Sequence, residues 1–187
     1  MIKTSAISFD EIISLIPGDA RIGIVGCGDC AATLGVGGTR QVEEMKEQIQ
    51  KLGRNVVFAF VVRAPCDERA LRRFIDLTTG FSDADHVIVL ACSAGFQSLV
   101  SVSGHLGFSQ NFIKGLKTEG LVKVTRNGSV RPACLFCSEC HLISPSSICP
   151  VVSCPLKKAD GPCQNRLEKN FCPHSEKICV YFESDKE

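Results

Sequence analysis

Residues 21–30 read RIGIVGCGDC: an apolar run, Arg21–Val25, that ends in glycine and delivers two cysteines immediately afterwards. A short continuous apolar run bounded by a turn signal reads as a buried strand. Downstream, Thr39–Leu52 carries Val42, Met45, Ile49 and Leu52 at helical spacing, with Gly53 beyond them. That is an amphipathic helix with a glycine stop. Asn55–Val62 (NVVFAFVV) is a second apolar run. Asp67 is placed to cap a helix that turns Leu71, Phe74 and Ile75 inward and stops near Gly80. His86–Ala91 (HVIVLA) predicts a third strand, Phe96–Val102 a third helix and Leu121–Thr125 a further strand, while Gly104–Gly120 reads as neither clearly helix nor strand. Strands alternating with helices at this pace imply βαβ units and a parallel sheet. Upstream, Met1–Pro17 is a short amphipathic start containing Asp10 and Glu11, not an export signal.

The fold class expected is therefore α/β: a small parallel βαβ sheet domain over residues 1–130, followed by an irregular cysteine-rich metal-binding module over 131–187. Composition changes after about Arg131, and Arg126-Asn127-Gly128 is the expected boundary. Beyond it the chain has few long apolar runs, several prolines and eight of the twelve cysteines. Such a segment buries little core, so metal is expected to hold it.

Hydrophobic residues make up 44% and charged residues 22% of the chain, a globular balance. The formal net charge of +1, one tyrosine and no tryptophan give no basic or stacking surface for nucleic acid. No apolar stretch approaches the roughly 20 residues of a membrane span. A cytoplasmic location follows as the expectation, and in that reducing compartment cysteines are metal ligands more often than disulfides.

The first four cysteines sit at strand ends. Cys27 follows the first strand, Cys66 lies just beyond the second and Cys92 directly follows the third. Carboxyl ends of parallel strands lie along one edge, where ligands bind. With Cys30, which pairs with Cys27 as CxxC, they form a candidate four-thiolate site. Rival readings are small buried hydrophobes at Cys66 and Cys92, a redox dithiol at Cys27/Cys30, and a dinucleotide fingerprint in Gly26-Cys27-Gly28-Asp29-Cys30-Ala31. Against the last, the second strand ends in Val62-Arg63, without an acidic residue for a ribose. Gly35-Val36-Gly37-Gly38-Thr39 is a flexible turn or an anion cradle.

The other eight are Cys134, Cys137, Cys140, Cys149, Cys154, Cys163, Cys172 and Cys179. Cys134-x2-Cys137-x2-Cys140 is like the opening of a bacterial ferredoxin motif, whose fourth cysteine precedes proline. Cys149-Pro150, Cys154-Pro155 and Cys172-Pro173 all have that form. Three closely spaced thiolates suit the corner of a [4Fe–4S] cube, whereas zinc ribbons use two separated CxxC knuckles. The expected cofactors are one to three [4Fe–4S] clusters, with zinc an alternative in one site. The working split is Cys134, Cys137 and Cys140 with one later cysteine. His141 and His174 adjoin cysteines but are not counted as ligands. No paired carboxylates, nucleophile elbow or other catalytic centre is evident, and electron transfer needs none, because the cluster carries the chemistry.

Pro132–Val180 resembles the cysteine-rich C-terminal module of methylenetetrahydrofolate reductases. The matching stretches are Cys134-x2-Cys137-x2-Cys140, Ile148-Cys149-Pro150-Val151, Cys154-Pro155, Asp160-Gly161-Pro162-Cys163, Cys172 and Cys179. Upstream, Val25-Gly26-Cys27-Gly28-x-Cys30, Ala64-Pro65-Cys66-Asp67 and Leu90-Ala91-Cys92-x-Ala94-Gly95 are similar too. Both halves occur in the small cysteine-rich (V-type) subunit of acetogen-type methylenetetrahydrofolate reductase. The chain differs from that family at Leu34, where a further cysteine is usual, and at Ser146-Ser147 and Gln164-Asn165, where glycine pairs are usual.

The resemblance implies an electron-transfer subunit without an active site of its own. Its partner would be a flavin TIM-barrel large subunit that carries FMN or FAD and reduces methylenetetrahydrofolate. Electrons would enter from a heterodisulfide-reductase-type or other subunit. The alternative is a zinc-stabilised adaptor that joins a flavoprotein to other redox subunits.

Overall fold

The computed structural model describes residues 1–138, 140–141, 148–163 and 171–182. Ser146-Ser147 and Gln164-Asn165 lie outside the described residues. The chain divides into two compact units, Ile2–Glu119 and Gly120–Glu187, the latter joined by Met1.

The first unit is α/β. It runs β1 (Ile2–Ala6), α1 (Phe9–Ser14), β2 (Ile22–Cys27), α2 (Cys30–Thr33), α3 (Thr39–Lys51), β3 (Val56–Val62), α4 (Glu68–Leu77), β4 (His86–Leu90), α5 (Ser93–His105) and β5 (Asn111–Lys114), and enters β6 (Leu116–Val124). Four strands form a parallel sheet in the order β3-β2-β4-β5. The apolar runs are continuous because both faces of the central strands are covered. Ile22, Ile24 and Val25 of β2 and Val87, Ile88 and Val89 of β4 are all 0% exposed. The helices contribute one stripe each: Val42 and Ile49 from α3, Leu71 and Ile75 from α4, Leu99 and Val102 from α5.

Details differ from the sequence reading. Leu52, expected on the inner face of the first helix, is the C-cap residue and is exposed. The segment Gly104–Gly120, unassigned by periodicity, supplies β5, the fourth strand of the sheet. Among its residues Ile113 alone is buried within β5, so hydrogen bonds to β4 define the strand more than its own pattern does.

Strand order fixes where a ligand site can form. The chain leaves β2 toward β3 on one side, then resumes at β4 on the other side of β2. The crevice outside the carboxyl ends of β2 and β4 is thus the topological switch point of the sheet. Register makes these ends level: Cys27 stands beside Val62 of β3, and Gly26 beside Leu90 of β4.

In the second unit the end of β6 pairs antiparallel with β7 (Val130–Cys134). Arg126-Asn127-Gly128, expected as the domain boundary, forms the turn of this hairpin. The Thr125 N–H donates to the Ser129 carbonyl at 2.9 Å, and Gly128 has φ +80°. An Asn-Gly pair between strands is a strong hairpin signal. The one remaining helix among the described residues of this unit is α6 (Pro150–Ser153). Its buried apolar side chains among the described residues are Val122, Pro150, Cys172 and Val180. No helix among the described residues of either unit is long and apolar enough to cross a membrane.

Candidate metal centres

The strand-end cysteines of the first unit lie within electrostatic reach of one another. Cys27 ends β2 and Cys30 opens α2. Cys66 sits in the turn before α4, and Cys92 is the N-cap residue of α5. The backbone holds each loop. The Cys27 N–H donates to the Gly37 carbonyl at 2.9 Å, and the Gly28 N–H to the Val62 carbonyl at 2.8 Å. Asp67 caps α4 by accepting from the Arg69 N–H at 3.0 Å, which fixes the turn carrying Cys66. The Ser93 N–H donates to Thr118 Oγ1 at 2.8 Å, which anchors the start of α5 beside Cys92.

The four sulfurs feel one another. Burial pushes the Cys27 thiol above its ordinary value, and proximity to Cys92 and Cys30 adds to the rise. Cys66 is exposed as a residue, but partial burial of its thiol pushes it up, with further contributions from Cys92, Cys27 and Cys30. Cys27 and Cys92 are 5% and 8% exposed, and at Cys27 a thiolate is cut off from most of the solvent that would stabilise it. A cation at the centre of the group would supply that stabilisation. Opposing the rise, the backbone N–H groups of Asp29 and Ala31 point at the Cys27 sulfur.

The dinucleotide alternative finds less support. The helix following Gly26-Cys27-Gly28 is α2, only four residues long, and α3 does not begin until Thr39. No long helix therefore opens directly behind the glycines to face a pyrophosphate.

In the second unit the cysteines line two cavities. Cys134, Cys137, Cys140 and Cys149 line one of about 330 Å³, together with Phe136 and His141. Cys154, Cys172 and Cys179 line another of about 720 Å³, together with Arg131, Ser175 and Lys177. The Phe136 N–H donates to Cys134 Sγ at 3.4 Å. Phe136 and Ser138 both take positive φ, 56° and 70°. Such alternation turns successive N–H groups into an anion-binding concavity, a form common at iron–sulfur sites. Cys172 and Cys179 are brought together by a hairpin in which Phe171 bridges Ile178 and the Cys172 N–H donates to the Lys177 carbonyl at 2.9 Å. The Cys172 thiol is held below its usual value by the Ser175 hydroxyl and by the backbone N–H groups of His174 and Ser175.

Cys163 is half-buried and lines neither cavity. Among the described residues, no three Cys, His, Asp or Glu side chains stand close enough to form a coordination sphere. The donor chemistry nonetheless suits a tetrathiolate centre. Cys27, Cys134 and Cys172 each have their sulfur served by the N–H two residues further on. Hydrogen bonds of that kind stabilise a thiolate over a thiol and tune the potential of any cluster it binds.

Residues 113–186 match the family described as methylene-tetrahydrofolate reductase C terminal. The match takes in all eight cysteines from Cys134 to Cys179, and it supports a relation of this stretch to methylenetetrahydrofolate reductases. Neither a curated protein nor a solved structure matches the chain. Sequence reasoning placed no weight on Ser175, Arg131 or Lys177. The pattern Cys172-Pro173-His174-Ser175 is a turn signal that could have flagged Ser175, while the two cations carry no local signature.

Proposed function

We propose that this chain is an iron–sulfur electron-transfer subunit of a methylenetetrahydrofolate-reductase-type complex. Cys27, Cys30, Cys66 and Cys92 would hold one metal centre, and the eight cysteines from Cys134 to Cys179 the others. A bound [4Fe–4S] cluster supplies one-electron chemistry and can relay electrons singly to a flavin on a separate large subunit. The chain's own residues bind, shield and tune. The Cys27 loop and the α5 N-cap bury sulfur at the switch point, and N–H groups aimed at Cys27, Cys134 and Cys172 offset the negative charge of thiolate coordination.

The observation that carries this reading is the repeated N–H to sulfur geometry at cysteines from separate parts of the sequence. A small hydrophobe needs no such bonds, and a dithiol switch would need them at one pair only. The family match of residues 113–186 supports the reductase context. Folate and flavin sites are assigned to the partner because no barrel is present among the described residues.

A second reading is favoured by one fact: the unit beyond Gly120 has few buried apolar side chains among its described residues. Zinc there would act as a structural staple, and the chain would be an adaptor between a flavoprotein and other redox subunits.

Anaerobic purification separates the two readings. Electron transfer predicts a brown protein with iron and acid-labile sulfide in roughly equal amounts, as a [4Fe–4S] cube requires. Its visible absorption should bleach with dithionite as a paramagnetic signal appears. A colourless preparation holding zinc alone rejects the electron-transfer role and leaves the adaptor.

A further inference from the structure

We infer that the eight cysteines of the second unit form two separate four-thiolate centres, one on Cys134, Cys137, Cys140 and Cys149 and the other on Cys154, Cys163, Cys172 and Cys179. This rests on the metal-carrying reading above and adds which thiols share a centre, a grouping that sequence spacing leaves open.

Three observations carry the division. The first is the cavities themselves: four cysteines line one and three line the other, and no cysteine lines both. The second is α6. Cys149 and Cys154 flank this helix as its N-cap and C-cap residues. The five residue steps from Cys149 to Cys154, across the four residues of α6, correspond to an advance of about 7.5 Å and a turn of about 140° beyond a full circle. The two flanking sulfurs are thereby aimed into different cavities although they are near neighbours in sequence. The turn is firmly closed, with the Ser153 N–H donating to the Cys149 carbonyl at 2.9 Å and the Cys154 N–H to the Pro150 carbonyl at 2.8 Å.

The third observation places Cys163. The Tyr181 hydroxyl donates to the Lys158 carbonyl at 3.0 Å, and the Phe182 N–H donates to the Cys179 carbonyl at 2.8 Å. The segment leading to Cys163 is therefore tied to the turn that follows Cys179. Cys134, Cys137, Cys140 and Cys149 already complete one set of four.

The two surroundings also solve the charge problem differently. Four thiolates around zinc or an oxidised [4Fe–4S] cube leave net negative charge. At the first cavity, the Phe136 N–H bonds the Cys134 sulfur, with no lysine or arginine among the described lining residues. At the second, Arg131 and Lys177 line the wall and the Ser175 hydroxyl bonds the Cys172 sulfur.

Cys149 and Cys154 are the discriminating pair. Iron, zinc and sulfide per chain are counted by anaerobic metal analysis and native mass spectrometry for C137S, C149S, C154S and C179S and for paired variants. Each single variant should lose roughly half of the metal of this unit, since four thiolates make one centre. C137S/C149S should lose no more than either parent, while C149S/C154S should lose both centres. The division is overturned if C149S/C154S loses one centre only, or if C137S/C149S loses both.

Because a variant can misfold, the wild-type holoprotein provides a second arm. During graded chelation, iodoacetamide should label Cys149 in step with Cys137, and Cys154 in step with Cys179; labelling of Cys149 in step with Cys154 overturns the grouping. Wild-type protein with no metal in residues 120–187 would sink the metal-carrying reading itself. Metal present with crossed labelling would sink only the division.

Discussion

Gly37 is the residue on which the first site turns. A Cβ built there would meet the Leu90 carbonyl oxygen at 2.3 Å and the Ala31 Cβ at 2.8 Å, and both are fixed parts of the sheet edge and loop. Its own carbonyl accepts the Cys27 N–H. Gly37→Ala therefore has to lift the loop off the end of β4 and move Cys27 with it. Overpacking of this kind costs about 1–3 kcal/mol. Urea denaturation should register that loss together with reduced metal content, while Gly18→Ala, with nothing within 4 Å, should change neither. Equal stability of the two variants would refute the close-approach argument. Asp85 gives a prediction in pH. Its carboxylate accepts from the Arg21 N–H at 2.9 Å and from the Arg21 guanidinium at 3.2 and 2.9 Å, which holds its pKa down to about 2. A carboxylate depressed on folding contributes stability above its unfolded value of about 3.9, and that stability fades as pH falls. The melting-temperature gap between wild type and Asp85→Asn should thus be full at pH 5 and close progressively toward pH 2. A gap unchanged across that range would show that the Asp85 charge contributes nothing.

Among the elements, β2 and β4 are the most constrained, because each has a neighbouring strand on both edges, and in β4 Val87, Ile88 and Val89 are wholly buried. Ile88→Ala should cost about 2–5 kcal/mol, as deletion of a core side chain does. Val100→Ala, on a 39% exposed position of α5, should cost far less when both are measured by chemical denaturation. The same burial explains why this part of the fold was legible. Central parallel strands must be apolar on both faces, so RIGIV and HVIVLA announce themselves; the edge strand β3 is also an apolar run, NVVFAFVV, although only Phe58 and Val62 of it are buried. The amphipathic helices α3 and α4 do so by their stripes. β5 was not legible, since four residues with one buried side chain carry no pattern of their own. β1 was missed for a related reason: only Thr4 of Ile2–Ala6 is buried, and a buried threonine is no strand signal. The Asn127-Gly128 pair was visible but was read as a domain boundary, because the compositional change after Arg131 lies beside it. At the site, the strand ends nominated Cys27, Cys30, Cys66 and Cys92, and mutual charge effects link these thiols in the structure. In the tail the described ordering devices are short, the one-turn α6 and the Phe171–Ile178 bridge, and neither has a spacing signal, so the proposed grouping of its cysteines rests on the cavities and on α6.

At the scale of the molecule, the two units differ in what can hold each together. Ile2–Glu119 buries two central strands and a stripe from each of three helices, apolar surface sufficient for a cooperative core. Gly120–Glu187 has a hairpin, a one-turn helix and few buried apolar side chains among its described residues, close to the condition in which small modules fold only with metal bound. Where Gly120 begins this unit, its φ of +149° and its approach to the Cys134 carbonyl, 2.4 Å from where a Cβ would sit, press β7 directly against β6. The hairpin thus brings backbone order up to Cys134 and stops there. Removing metal should therefore act on one unit and spare the other. Hydrogen exchange measured by mass spectrometry, before and after anaerobic chelation, should show peptides beyond Cys134 losing protection while peptides of β2, β4 and α3 keep theirs, since local stability tracks buried contacts and protected hydrogen bonds. Exchange beyond Cys134 that is unchanged in metal-free protein would mean that backbone and side-chain contacts alone support the unit, and that its thiolates are not what folds it. Loss of protection in both units together would mean instead that the core of Ile2–Glu119 also depends on the centre at its switch point, so that four sulfurs at one sheet edge contribute as much to that fold as the buried strands do.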